Sequence, residues 1–293
     1  MNELQISDLR IHPGDSGFLI DDGETAILYD SGFGFTGERL ALKIKKLLND
    51  RKLDYIFLSH SHYDHALGSA WVLKFYPEAK VVAGEYTAEI FQRQSARVRM
   101  MDMDRKLAEK CGITQYDYPG ELLKVDIAAK DGMEISAGKM KFQIIALPGH
   151  TKCTTGFYEV NRKFFLAPET LGVYNCTDLI IPACLVSFQD TLNSIGKVES
   201  LPVKMLMIPH LGVLDEEKSR FFLENMRSQA ENSAQWFCDM IKSGMSDEDI
   251  FAEFKKKYLQ GDIKEIYPED AAALNTSIML KLFRQELAKS SVI

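Results

Sequence analysis

The stretch "IFLSHSHYDHALGSA", Ile56 to Ala70, sets three of the chain's six histidines and an aspartate within six residues, directly behind an apolar, strand-like run. Neutral imidazole is the commonest protein ligand for a metal, and a divalent cation needs several such donors converging from different loops. A His-x-His step followed by Asp-His can supply two neighbouring ions. Working outward, His150 in "LPGHT" and His210 in "IPHLG" also follow apolar strand-like segments. Five of the six histidines therefore stand at strand ends, where an α/β sheet places its ligand-binding loops. The remaining one, His12, reads as a surface or hydrogen-bonded core residue.

The rest of the chain supplies the sheet these ends need. "GFLIDDGETAILYDSG" reads as two short strands around the turn at Asp21, Asp22 and Gly23. "ERLALKIKKLLND" spaces its apolar residues at helical intervals, and "LDYIFLS" returns to a strand ending at Ser59. A helix end, a short strand around Val81 and Val82 and another helix follow, then a less regular Met- and Arg-rich segment over Arg97 to Lys110. Strands resume with "MEISAGKMKFQIIAL", the "GFYEVNRKFFLA" hairpin turning at Asn161 and Arg162, and "KMLMIPH". From about Asp215 the pattern becomes helical: Phe222, Met226, Ala230, Ala234, Phe237 and Ile241 recur at helical spacing, Ser246 offers an N-cap, and Pro268 introduces a last helix with Leu274, Ile278, Leu282 and Phe283 on one side.

Composition narrows the function. The chain has 293 residues, a net charge of -7 and no Lys/Arg run interleaved with aromatics, so the basic footprint of nucleic-acid binding is missing. No stretch approaches the roughly 18 consecutive apolar residues of a membrane span, and the N-terminus lacks a basic-then-apolar leader. Five cysteines, an odd number without CxxC pairing, fit a reducing compartment. The expectation is a cytoplasmic protein that meets a small-molecule substrate and neither nucleic acid nor membrane.

These residues carry a resemblance. "SHSHYDH" matches the HxHxDH motif of the metallo-β-lactamase superfamily, "LPGHT" and "IPH" fall in order where that family keeps its later histidines, and the leading hairpin ends in the family's Asp-Ser/Thr-Gly. The likeness spans about Gly14 to Gly212. It implies an αββα sandwich, here over residues 1–214, with a helical C-terminal extension over 215–293 that helps form the pocket or a homodimer. By motif position it implies that His60, His62 and His150 bind a first metal and that Asp64, His65 and His210 bind a second. Two ions about 3.5 to 4 Å apart would acidify a bridging water and polarise the substrate oxygen, with Asp64 orienting the attack. Zinc suits the donors first, with iron or manganese as alternatives.

Two departures bear on this. Where the family usually has Gly-Asp, the chain reads "FFLAPETLG", which puts Glu169 in the place of the bridging carboxylate; two buried dications without a bridging anion would be poorly neutralised, so Glu169 is read as a ligand. Cys153 stands where relatives commonly have glycine. The implied activity is hydrolysis of a small ester, lactone, thioester or phosphodiester. The glyoxalase II branch, which binds glutathione through basic residues of a helical tail, is set aside because this tail is acidic. A ligand-binding or regulatory member with little turnover, or an iron-dependent redox member, stays open beside the hydrolase.

Overall fold

The computed structural model describes residues 4–175 and 177–290, so Cys176 lies outside the described residues. Two six-stranded sheets face each other. The first runs in chain order: β1 (Gln5–Asp8), β2 (Phe18–Asp21), β3 (Ala26–Tyr29), β4 (Tyr55–Phe57), β5 (Lys80–Gly84) and β6 (Ile127–Ala129). The opening hairpin is antiparallel, and β3 to β6 are parallel. Between the parallel strands the chain builds α1 (Gly37–Leu48), α2 (Tyr63–Ala66), α3 (Gly68–Phe75), α4 (Glu85–Gln92) and α5 (Gln94–Lys110).

The second sheet contains β7 (Glu134–Ala137), β8 (Met140–Ala146), β9 (Thr155–Glu159) and β10 (Phe164–Leu166) as an antiparallel meander. After the small β11 (Val173–Tyr174) and β12 (Ile180–Ile181) ladder and α6 (Phe188–Glu199), β13 (Met205–Ile208) pairs parallel to β10, and β14 (Gly212–Val213) closes the edge. The tail is α7 (Glu216–Lys242), α8 (Asp247–Tyr258) and α9 (Glu269–Ser290).

Alternation along the strands explains the layering, because successive side chains of a strand point to opposite faces. Ile20, Ile27 and Tyr29 meet Phe142, Phe157 and Leu166 between the sheets, with Phe57 and Phe157 stacked at 4.6 Å. Their neighbours Leu19 and Leu28 turn outward onto α1 and α3. On the far side, Phe165, Leu206 and Ile208 receive Ile195 and Val198 of α6 and Phe222 and Met226 of α7. The order of layers is therefore helix, sheet, sheet, helix. The first half of α7 belongs to that outer layer; its second half, with α8 and α9, packs a further cluster around Phe237, Phe254 and Phe283.

The structure corrects the sequence reading at two helices. Residues 94–110 form a continuous 17-residue helix, not an irregular segment. Its buried residues, Met100, Asp104 and Ala108, are four apart, and a carboxylate at the centre of so narrow a seam breaks the apolar pattern. In α9 the buried stripe is Ala272, Thr276, Met279, Leu280 and Phe283, whereas Leu274 is 46% exposed. The helix is rotated so that Leu274 faces outward, while Phe283 meets the core as expected.

Gly68 fixes how the histidine segment seats on the first sheet. A β-carbon there would lie 1.9 Å from the Ser31 carbonyl oxygen, and backbone cannot yield as a side chain tip can. Gly68→Ala is expected to destabilise the fold by about 2 kcal/mol or more, read as a lower midpoint in urea unfolding.

Candidate metal centre

The motif histidines arrive by short-range geometry. His60 and His62 occupy the loop after β4, and Asp64 and His65 ride on the single-turn α2 whose N-cap is His62. His150 follows β8, Glu169 opens the 3-10 turn Glu169–Leu171 after β10, and His210 lies just past β13 with a positive φ of 63°. These ends meet at one edge of the sandwich. His60, His62, His150 and Glu169 bring ligand atoms within 4.8 Å of one another, as do Asp64, His65 and His210. All seven residues singled out in the sequence are thus brought together.

Glu169 stands between the two sets. Its Oε2 lies 3.5 Å from His60 Nε2, 2.9 Å from His150 Nε2 and 3.4 Å from His65 Nε2, while Oε1 lies 3.3 Å from His210 Nε2. Asp64 Oδ2 is 3.6 Å from His65 Nε2. The exposure is one-sided: the Asp64 side chain is 23% exposed, whereas Glu169 is at 5% and His60 and His65 at 0%. His62 and Asp64 are the partly exposed members of the two sets.

A layer of partners behind the ligands fixes which nitrogen each histidine presents. His150 Nδ1–H donates to the Ala183 carbonyl at 2.8 Å and His210 Nδ1–H to the Asp15 carbonyl at 3.1 Å; a carbonyl can only accept, so Nε2 of both rings carries a lone pair. His65 Nδ1–H donates to Asp30 Oδ2 at 2.7 Å. Ser59 Oγ spends its proton on Asp30 Oδ2 at 3.0 Å and so accepts from His60 Nδ1–H at 2.9 Å. His62 turns Nδ1 to within 3.1 Å of His150 Nε2. Lone pairs of four imidazoles therefore converge on one another and on a carboxylate, with the His62 ring beside them.

Without a cation this arrangement repels itself. Nε2 of His60 and of His65 are buried with no hydrogen-bond partner, and leaving such atoms unmade costs about 1–3 kcal/mol each. A lone pair of His150 2.9 Å from a carboxylate oxygen has the same defect. Divalent metals satisfy all of them, so the residues fit the group.

Without a cation, burial and charge act differently on the members of the set. Burial, and then the neighbouring histidines, hold His60 well below the ordinary imidazole range and bring His62 down to about 3. Burial opposes a charged His65, but Asp30 and Asp64 outweigh it and raise its pKa well above normal. For Glu169 burial favours the neutral acid, yet the surrounding histidines, His150 first, outweigh it and hold its pKa well below the ordinary value. Burial raises Asp64.

The residues that sequence reasoning missed are the backing ones. Asp30, with a φ of 52°, takes hydrogen bonds from Ser16 Oγ, Ser59 N, Ser59 Oγ and His65 Nδ1. Only the Asp-Ser-Gly at the end of the opening hairpin signalled it. Two other residues prove structural. Cys153 is buried, with Sγ 3.3 Å from Ser61 Oγ and 3.2 Å from Thr151 Oγ1, and joins the two histidine loops. His12 is half-buried; its Nδ1–H donates to the Pro13 carbonyl at 2.7 Å and its ring meets Phe33 and Phe35.

The profile of the metallo-beta-lactamase superfamily matches residues 14–210. A hydroxyacylglutathione hydrolase GloC of Haemophilus influenzae is 28% identical over 155 residues, which cover 52% of this chain and 63% of that protein. A hydroxyacylglutathione hydrolase of Brucella anthropi is 25% identical over 199 residues, 68% of this chain and 62% of the relative. The chain thus spans a little under two thirds of these relatives' length. They come from the branch that the acidic tail argued against. Among solved structures, a metallo-beta-lactamase family protein of Thermus thermophilus aligns over 97% of this chain and 93% of its own with a TM-score of 0.61 at 17% identity, and an archaeal superfamily protein of Sulfolobus tokodaii over 73% and 81% with a TM-score of 0.54 at 18% identity. With an αββα sandwich, the ordered histidines at its edge and a match across most of the sandwich, the chain belongs to the metallo-beta-lactamase superfamily.

Proposed function

We propose that the chain is a binuclear metal-dependent hydrolase of a small acyl substrate, with a thioester ahead of an oxygen ester, lactone or phosphodiester. The observation that carries this reading is the Glu169 carboxylate, which touches histidines of both ligand sets. The thioester is put first because the sequence relatives of Haemophilus influenzae and Brucella anthropi are hydroxyacylglutathione hydrolases.

His60, His62 and His150 would hold one ion and Asp64, His65 and His210 the other, with Glu169 between them. Divalent ions bound there supply Lewis acidity toward water and toward the substrate's acyl oxygen. The chain's own residues do the rest. Asp30 and the Ala183 and Asp15 carbonyls keep the ring protons on the far side of the imidazoles, so that the inner nitrogens stay basic. Asp64, the open member of the set, orients water on the side from which substrate enters. The Glu169 charge offsets the dications and lowers the cost of burying them.

The test is metal analysis of protein purified without added metal, followed by turnover on thioesters, oxygen esters, lactones and phosphodiesters with zinc, manganese and iron. Two metal equivalents and thioester turnover that chelation abolishes and metal restores is the expected result. Metal binding without turnover on any of these classes would leave a binding protein in place of the hydrolase.

A further inference from the structure

Two histidines of the second ligand set are backed by consecutive residues of one short loop. His210 Nδ1–H donates to the Asp15 carbonyl at 3.1 Å, while Ser16 Oγ donates to Asp30 Oδ2 at 3.0 Å and that same oxygen accepts from His65 Nδ1 at 2.7 Å. His65 follows β4 of the first sheet and His210 follows β13 of the second, so their spacing depends on how firmly the Asp15–Ser16 step is held. The step ends a turn, His12-Pro13-Gly14-Asp15. Asp15 N–H donates to the His12 carbonyl at 3.0 Å and Gly14 has a φ of 82°, the pattern of a type II turn with Pro second and Gly third. Such a turn fixes its own shape but not its place.

The Asp15 side chain fixes the place. It is 1% exposed, and both oxygens are engaged on different segments. Oδ2 accepts from the Ile11 and His12 N–H groups at 3.0 and 3.2 Å, and Oδ1 accepts from Phe33 N–H at 3.0 Å and Thr36 Oγ1 at 3.2 Å. One oxygen thus closes the turn on itself, and the other ties it to the loop after β3. The seat is tight: a β-carbon on Gly32, which has a φ of 67°, would stand 2.2 Å from Oδ1. That loop also holds the histidine segment, because Ser31 N–H donates to the His65 carbonyl at 2.7 Å and Gly68 N–H to the Gly32 carbonyl at 3.1 Å. The carboxylate therefore joins the turn behind His210 to the loop that grips His65.

We propose that Asp15 is a positioning residue for the second metal site: its buried carboxylate locks the His12–Asp15 turn against the loop after β3, and so sets the spacing of His65 and His210 and the affinity for the ion they hold. The first set leans on this turn less, since His150 is held by the Ala183 carbonyl and His60 by Ser59. This inference rests on the two-ion reading above, and the experiment separates the two.

Asp15→Asn leaves the backbone carbonyl in place, but one amide oxygen cannot serve four donors on two sides, and its N–H₂ faces two of them. Zinc titrated into metal-free protein against a chelator should show the second equivalent weakened by about 10-fold or more, the scale of losing a partner behind a ligand, with the first within about two-fold of wild type. In protein carrying isotope-labelled histidine, NMR should find the His210 Nδ1 proton exchanging with water faster than in wild type and the His150 Nδ1 proton unchanged. Thr36→Val removes one of the four bonds without uncapping α1, to which Thr36 makes no side-chain capping bond. It should weaken the second zinc by about three-fold, the scale of one hydrogen bond, and it decides the question if Asp15→Asn does not fold. A merely structural Asp15 predicts both equivalents weakened alike, or a lowered urea midpoint with zinc binding and proton exchange unchanged; either result overturns the assignment. Should the wild type bind only one zinc, the two-ion reading fails, and the His210 proton of the metal-free protein still tests Asp15. Faster exchange in Asp15→Asn then supports its positioning of His210, and unchanged exchange overturns it.

Discussion

Glu169→Gln is expected to lose the second metal and to cut turnover by on the order of 100-fold or more. Removing a partner behind a ligand already costs about 10- to 100-fold in metal affinity or activity, and Glu169 stands among the ligands themselves. The glutamine keeps length and shape but presents an amide N–H₂ to one of the histidine lone pairs and no charge to the cations. The first site retains three histidines, whereas the second would depend on His65, His210 and the partly exposed Asp64. Metal stoichiometry should therefore fall toward one equivalent before the protein unfolds. Glu169→Asp is the sharper comparison. It restores the usual family side chain on a backbone that leaves the sheet through Pro168 and turns at Glu169–Leu171, pinned by Thr170 Oγ1 on the Leu147 carbonyl at 2.7 Å. A shortened arm on that fixed turn stops short of the histidines, so activity should fall, not rise. Wild-type stoichiometry and turnover in Glu169→Gln would remove the residue from the site.

The ligands were legible because their chemistry is local. His60, His62, Asp64 and His65 sit within one loop and one turn of helix, and the spacing alone puts their side chains on one side of the strand end. His150, Glu169 and His210 were legible from their place after apolar strands, although only the fold shows that these strand ends share an edge. The backing layer was not legible, because hydrogen bonds to the Ala183 and Asp15 carbonyls use no side chain that a sequence could display. The same holds for the link between α8 and α9: nothing in "IKEIYPEDAAALN" announces that Pro268 meets Gly14 across more than 250 residues of chain. The tail's helices were visible, but their rotation was not. Leu274, Ile278, Leu282 and Phe283 look like a seam at helical spacing; α9 buries Phe283 together with Ala272, Thr276, Met279 and Leu280, and leaves Leu274 exposed.

Asp30→Asn tests the backing layer with the fewest side effects. Asp30 adopts a φ of 52°, a conformation that asparagine enters more readily than most residues, so the backbone is not the confounding factor. What changes is the hydrogen bonding. Ser16 Oγ, Ser59 Oγ and His65 Nδ1 all donate to Oδ2, and Ser59 N–H donates to Oδ1. An amide offers one acceptor oxygen; whichever way it flips, its N–H₂ faces a donor. His65 then loses the acceptor that fixes its tautomer, and Ser59 can no longer hold the His60 ring by the same chain of bonds. Metal affinity should drop by about 10- to 100-fold, with the His65 site affected first. The metal-free fold should lose about 3 kcal/mol or more, because a buried, multiply hydrogen-bonded charge has been replaced by a mismatched neutral group. Competition against a chelator gives the first quantity and urea unfolding of metal-free protein the second. An Asp30→Asn protein that matches wild type in both would mean that the histidines are oriented by their packing alone, and that the hydrogen-bonded carboxylate beneath them has no part in building the metal centre.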